Sequence, residues 1–295
     1  MENLEDWATS EFNSLVWLDS QQEGTSRFQS LVMEGDHEGK KASPVNILGT
    51  IEFGAAGQRF TPKTYQDPST ERRWVSPQNK DANVLLDRRD EGNTIVDTRP
   101  SLIKAGGAAT GRLIDNVIVG AFHATAVIGE EGAGTETWDT AQDIAANIGG
   151  STGMNTTKLE AILELFEVNE VDLEAEGGLI VGLTAKQNTN LLREIEVAKS
   201  RGDYAAKGAL IVGNKVREYL GIKFVHSQRI LKSGNDRHCP AWVKSGMHLG
   251  WWMRPEWTFT IKDDLTFDPW EMSGKARLGA TRTMKKKVGK IICTE

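Results

Sequence analysis

Between residues 98 and 129, small and apolar side chains recur at Leu102, Gly106, Ala109, Leu113, Val117, Ala121, Ala124 and Ile128. Steps of three and four mark one face of an α-helix. A second stripe of Ile103, Ile114, Ile118 and Phe122 widens the buried sector. Pro100 suits a first helical turn, Asp97 and Thr98 are candidate caps, and Gly129 is a stop. A helix of about 29 residues is a rod of about 43 Å, long against the ordinary mean of about 11–12 residues. Gly106, Gly107, Gly111 and Gly120 each cost roughly 1 kcal/mol relative to Ala inside a helix. The rod is therefore expected to lie along a sheet that needs small residues, with Gly111 and Gly120 at the closest approach.

The pattern is looser elsewhere. Residues 4–32 have helical spacing (Leu4, Trp7, Phe12, Leu15, Leu18, then Phe28, Leu31, Val32) with too much polarity between to form a domain. They read as an arm that docks on something else. Residues 44–75 carry short β-type runs broken by Gly54, Gly57, Pro62, Asp67 and Pro68. Strands at 61–65 and 72–75 would flank a tip at 66–71. An isolated hairpin is marginal in water, so this excursion is expected to lie on a neighbouring chain.

Beyond the rod, helices are predicted near 137–147 and 156–171. A buried strand follows at 178–183, then a helix capped by Thr184, and strands at 209–212 and 222–226. The last third reads as β-rich, with strands at 241–253, 257–262, 276–284 and 288–293. Trp242, Trp251, Trp252, Trp257 and Trp270 crowd into this region and read as core and interface packing.

Composition narrows the class. The chain has 295 residues, 39% of them hydrophobic, which supports a sizeable core and one or two domains. No apolar run approaches the ~20 residues that span a bilayer. The acidic first residues do not resemble a signal peptide. Cys239 and Cys293 make neither a disulfide framework nor metal-ligand spacing. A soluble protein made in a reducing cytoplasm is expected, with no membrane association.

Charge is divided along the chain, whose net value is −6. Residues 1–38 hold Glu2, Glu5, Asp6, Glu11, Asp19, Glu23, Glu34, Asp36 and Glu38 against the single base Arg27. Residues 275–290 hold Lys275, Arg277, Arg282, Lys285, Lys286, Lys287 and Lys290 and no acid. Such ends could pair within or between subunits, remain as two solvated faces, or present the basic one to nucleic acid.

Catalytic patterns are weak. Residues 106–112 match G-x-x-x-x-G, but Arg112 and Leu113 replace the Lys and Ser/Thr of a phosphate loop. Asp236, His238 and Cys239 have the residue types of a thiol site, yet adjacent side chains usually point apart. His37, His123, His226, His238 and His248 include no metal-binding spacing. No cofactor, metal or catalytic residue is predicted, and the chain is read as non-enzymatic.

The order of parts is more informative than any motif. Residues 72–97 (RRWVSPQNKDANVLLDRRDEGNTIVD) resemble the segment joining an extended loop to the spine helix in phage coat proteins. LIDNVIVGAFHATAVIG, with Arg112 and Asp115 placed as in many members, resembles that family's spine helix. GLIVGLTAKQNTNLL is similar to the strand–helix step of its axial domain, VREYLGIKFVHSQRI to the turn and return strand, and RLGATRTMKKKVGKIICTE to the closing strand of its peripheral domain. Over roughly residues 45–295 the chain resembles the major capsid proteins of tailed bacteriophages, with the Hong Kong 97-type fold.

That resemblance implies an α+β fold. Its parts would be an N-terminal arm (1–43), an extended loop and its base (44–97), and the spine helix with the first part of a peripheral domain (98–136). An axial domain (137–240) and a return to the peripheral domain (241–295) would complete it. It implies a shell subunit forming hexamers and pentamers, assembled in the host cytoplasm and carried in the virion. The partners implied are a separate scaffolding protein, a portal protein, a decoration or cement protein, and double-stranded DNA held by non-specific contact. Assembly contacts are expected at Arg59, Lys63, Arg72 and Arg73 on the loop, reaching an adjacent subunit. Lys285, Lys286 and Lys287 are expected to meet the acidic arm. Lys63 is the loop lysine that would correspond to the cross-linking lysine of some relatives, but no matching asparagine or acid is identifiable. An encapsulin-like compartment shares the fold, and a soluble thiol enzyme centred on Cys239 is the alternative from another class.

Overall fold

The computed structural model describes residues 26–54, 62, 65–87, 99–200 and 208–295. In chain order the strands are β1 (Met33–Asp36), β2 (Ala42–Leu48), β3 (Thr70–Val75) and β4 (Gln78–Leu86). The helix α1 (Arg99–Phe122) precedes β5 (Ala126–Ile128), β6 (Gly134–Glu136) and β7 (Asp143–Ile144). Helix α2 (Thr156–Val168), β8 (Ile180–Leu183) and helix α3 (Ala185–Ser200) come next. They are followed by β9 (Leu210–Val212), β10 (Lys215–Tyr219), β11 (Ile222–His226), β12 (Lys232–Ser233) and β13 (Asp236–Trp242). The long strands β14 (Met247–Ile261) and β15 (Trp270–Arg282) lead to β16 (Val288–Thr294).

Helix α1 is the predicted rod, 24 residues long, or about 36 Å. It lies on a four-stranded sheet of order β1-β14-β15-β4. Its buried centre is the second stripe: Ile114, Ile118 and Phe122, joined by Val119, pack with Trp242, Leu249, Trp251 and Leu278. Leu113, Val117 and Ala121 of the first stripe are half-buried against that core, and Ile103 and Ala124 are exposed. The close approach falls at Gly106, where an added Cβ would lie 2.5 Å from Met272 Cε and 3.2 Å from Trp257 Cε2. Gly120, expected to touch the sheet, is exposed with nothing within 4 Å of such a Cβ. The helix also stops at Phe122 instead of running to residue 128. Residues 126–128 are drawn into a second sheet of order β2-β3-β5-β6, with Trp74 opposite Val127 and Arg73 opposite Ile128. β-Branched side chains suit that role.

The third sheet has eight strands, ordered β7-β16-β13-β8-β11-β10-β9 with β12 on β13. Leu159, Ile162 and Phe166 of α2 and Leu191 and Ile195 of α3 join Val181, Leu183, Phe224 and Ile291 in its core. Asn155 caps α2 by accepting from the Lys158 amide at 2.8 Å. β8 and the α3 start follow the prediction, and Thr184 at the junction donates its hydroxyl to Glu295 at 2.8 Å.

Three expectations fail for tertiary reasons. The helix foreseen over 137–147 is a 3-10 turn, Thr140–Gln142, followed by β7. Asp139 caps that turn, Trp138 donates to Asp143 at 2.6 Å, and β7 pairs with β16. Residues 66–69 are not the tip of a hairpin: β3 pairs with β2, so the excursion spans 49–69, while Thr61, Lys63 and Thr64 lie outside the described residues. Finally, the strands foreseen at 241–253 and 257–262 run together as β14, and residues 241 and 242 end β13. β14 and β15 pair in the spine sheet, and β16 pairs with β13 inside the eight-stranded sheet. The centre of the spine sheet is a long pair of β14 and β15, bulged between Trp251 and Glu256 around Pro255, where a missing donor does least harm.

Candidate assembly surfaces

The excursion leaves the body as the β2–β3 pair, with residue 48 opposite 70 at its outer end. Leu48, Ile51, Phe53 and Tyr65 beyond or at that end are exposed. The described part of the tip is held by little: Gln66 bonds the Glu52 amide and carbonyl, and the Gly49 amide donates to Ser69. Apolar side chains on a segment with so little internal support are a surface lacking its cover.

Arg59 and Lys63 fall outside the described residues. Arg72 and Arg73, foreseen as contacts to a neighbour, are engaged within their own chain. Arg73 is 2% exposed, with Nη1 2.5 Å from Glu136 and Nη2 3.5 Å from Glu71. Its assignment as a neighbour contact is thereby corrected: β3 turns it inward under β6. Arg72 donates to Asn46 at 2.9 Å and stacks its guanidinium 5.9 Å from the Trp74 ring, leaving part of the side chain at the surface.

The basic end is similarly divided. Lys287 donates to Glu176 at 2.7 Å and to the Ser245 hydroxyl at 2.7 Å. Burial acts to raise the Glu176 carboxyl, but hydrogen bonds from Lys287 and from the Ser245 hydroxyl and amide hold it below its ordinary range. Lys290 pairs with Asp143 at 3.0 Å, and Lys285 with Asp139 at 3.6 Å. Arg282 is buried, donates to the Glu136 and Thr137 carbonyls and lies over Trp138. Lys286 is exposed. Among the described residues, the acids paired with this end are Asp139, Asp143 and Glu176. Of the arm acids, Asp36 pairs with Arg254 at 3.0 Å, and Glu34 accepts from Trp251 at 3.0 Å; residues 1–25 lie outside the described residues.

The arm is rooted on the spine by Asp115. Its carboxylate, 0% exposed, accepts from the Ser26 hydroxyl at 2.5 Å, the Arg27 amide at 2.9 Å and the Phe28 amide at 3.3 Å. Arg27 donates to the His226 carbonyl, and Trp242 donates to the Leu31 carbonyl at 3.0 Å. Phe28 packs between Phe122 and Trp242. Reasoning from sequence placed Asp115 on the helix without its partners. It also passed over Lys158, whose ammonium is held by the Thr152, Gly153 and Ile292 carbonyls at 3.1, 2.7 and 3.1 Å. A signal existed for the latter, since Lys158 falls on one i, i+4 row with Ile162 and Phe166.

The thiol alternative has no accessible nucleophile. Cys239 is fully buried, and the Cys293 thiol and burial push its pKa well above the ordinary range. A neutral, enclosed thiol does not attack substrates. Asp236 accepts from Thr294 instead of orienting His238. Among the described residues no group of three or more His, Cys, Asp or Glu is placed to hold a metal, and no helix is long and apolar enough to cross a membrane.

Comparison with known proteins agrees with this arrangement. Residues 4–295 match the family described as phage capsid protein. The capsid of Ralstonia phage GP4 superposes with a TM-score of 0.70 at 11% identity, covering 97% of this chain and 95% of that one. The capsid of cyanophage P-SCSP1u gives 0.71 at 15% identity over 99% and 94%, and that of cyanophage Pam1 gives 0.69 at 11% over 97% and 96%. At such identities the likeness is one of fold. No curated protein matches the chain.

Proposed function

The chain belongs to the phage capsid protein family, and from that premise we propose how it builds its shell. Subunits associate as hexamers and pentamers into a closed icosahedral particle around double-stranded DNA, in the manner of Hong Kong 97-type capsids. The subunit acts by packing and not by catalysis. The arm is residues 1–43, the extended loop and its base 44–97. The spine helix and its sheet form the peripheral unit, and the eight-stranded sheet with α2 and α3 the axial one.

The observation that carries this reading is the excursion. Leu48, Ile51, Phe53 and Tyr65 stand exposed on a segment whose described residues are tied down by few hydrogen bonds. Their burial against a neighbour would stabilise association by roughly 25 cal/mol per Å² removed from water. A cleft between α1 and the spine sheet, lined by Lys80, Ala109, Leu113, Trp257 and Ala276, is a receiving surface of suitable chemistry. A separate scaffolding protein would guide closure in the host cytoplasm, a portal would occupy one vertex, and a decoration protein would add to the outside.

The test is co-expression with the scaffolding protein, followed by negative-stain microscopy. Closed shells are expected from the unaltered chain. Ile51→Asp with Phe53→Asp should give a subunit of unchanged melting temperature that forms no shells. Normal shells from that variant would overturn the role of the loop. A chain that stays monomeric beside its scaffold would overturn the shell itself.

A further inference from the structure

Two histidines meet at the root of the arm. His37 follows β1, and His248 lies on β14 opposite Met33. Their Nε2 atoms are 2.8 Å apart, their ring centres 5.1 Å, and the Trp252 ring sits 5.3 Å from that of His37. The sheet makes room for them. Gly35 and Gly250 are register partners. A Cβ on Gly250 would fall 2.7 Å from His37 Cδ2, and one on Gly35 would fall 3.0 Å from His248 Cε1.

An Nε2-to-Nε2 hydrogen bond needs one proton between two nitrogens. A neutral pair supplies it, and so does a pair carrying one extra proton. With two extra protons both nitrogens are donors, the bond is lost, and two cations stand in contact. We propose that the His37–His248 pair is an acid-released latch that holds residues 33–37, and with them the arm root, on the spine sheet.

The strand it holds is weak enough to be governed by it. β1 has four residues and, among the described residues, pairs on one side only, with β14. Beyond the ladder and the His37 amide's bond to the Trp251 carbonyl at 2.7 Å, its side-chain ties to β14 are the latch, Glu34 to Trp251 and the exposed pair of Asp36 with Arg254. Few charges compensate the pair. Asp36 acts on His37 and is itself paired with Arg254; Glu34 is engaged by Trp251 and Gln29; the β15 residue opposite His248 is the uncharged Thr281.

Burial, and then the neighbouring His37, lower His248 to about 4, and burial lowers His37 against the pull of Asp36. A histidine held below its unfolded value of about 6.5 stabilises fully above that value. Its contribution is lost as pH falls from there toward the folded value. The latch is therefore closed at neutral pH and opens between about pH 6.5 and 4.

Hydrogen exchange of the purified full-length chain, corrected for the intrinsic effect of pH, tests this at about pH 7.5 and 4.5. Amides of Met33–Asp36 should lose about tenfold or more in protection relative to amides of residues 114–122. In His37→Gln the amide can rotate to donate to or accept from His248, so the selective loss should shrink below about threefold. Equal losses in the two proteins, or no selective loss in the unaltered chain, would overturn the latch. Should His37→Gln loosen β1 already at neutral pH, histidine-ring NMR of the unaltered chain decides. Two rings titrating well below about 6.5, in step with the loss of β1 protection, support the latch. Both rings titrating near about 6.5 refute it.

Discussion

Arg72 and Arg73 are neighbours in sequence with opposite surroundings, because successive side chains on a strand face opposite ways. Arg73 points under β6 to Glu136, and Arg72 lies across Asn46 and Trp74. Breaking a buried ion pair by removing one partner typically costs about 3–5 kcal/mol, whereas an exposed change costs within about 0.5 kcal/mol. Arg73→Glu should therefore lower the urea midpoint of the soluble subunit sharply, and Arg72→Glu, at a half-buried site that loses its bond to Asn46 and its place over Trp74, should lower it much less. Equal midpoints for the two variants would show that Arg73 is not used internally. Both arginines are visible in the sequence as a basic pair. Which one is buried depends on register, since a slip of one residue would exchange their faces. Lys158 makes the same point, because two carbonyls of the turn before its helix and one from distant β16 are what make its burial tolerable.

At the scale of elements, α1 was legible because a long apolar stripe at helical spacing has few other uses. Its end and its tightest contact were not. Residues 126–128 have enough helical pattern to extend the rod, but β3 offers them a strand partner. Gly106 is the tight position because Met272 and Trp257 reach across from the sheet, and Gly120 faces open space. Gly106→Leu should overpack the contact and cost about 1–3 kcal/mol or more. The same change at Gly120 should leave the melting temperature of the isolated subunit in place. A Gly120→Leu subunit that melted well below the unaltered chain, beside a normal Gly106→Leu, would reverse the assignment. The 3-10 turn at Thr140–Gln142 belongs to the same class, since Trp138, Asp143 and β16 select it over a helix whose local signal was short.

At the scale of the whole molecule, charge divides into a part spent within the subunit and a part left for the shell. Lys287, Lys290 and Arg282 secure their own chain to residues 136–176. Lys285, in an exposed pair with Asp139, and the exposed Lys286 stay at the surface of the subunit. Exposed pairs contribute only about 0–1 kcal/mol each and are screened beyond ~8 Å at physiological salt. Repeated around a shell, they should still make particle yield fall as ionic strength rises. Lys285→Gln with Lys286→Gln should lower that yield without altering subunit melting. Normal empty shells with poor filling would instead place these lysines against DNA, and normal numbers of both particles would defeat each idea. Lys287→Gln belongs to a different experiment, since it would disturb the Glu176–Ser245 network. What the sequence by itself determined was the mixed α+β class, the long helix, the strand–helix step at Thr184 and the order of parts that resembles phage capsids. Those features are written in local periodicity and turn chemistry. The tertiary structure alone decided that β16 joins the eight-stranded sheet, that Arg73 and Lys158 are interior, and that His37 meets His248 over two facing glycines. Each of these depends on which strands lie side by side, and segments far apart in the chain carry no mutual signal until packing and hydrogen bonding bring them together.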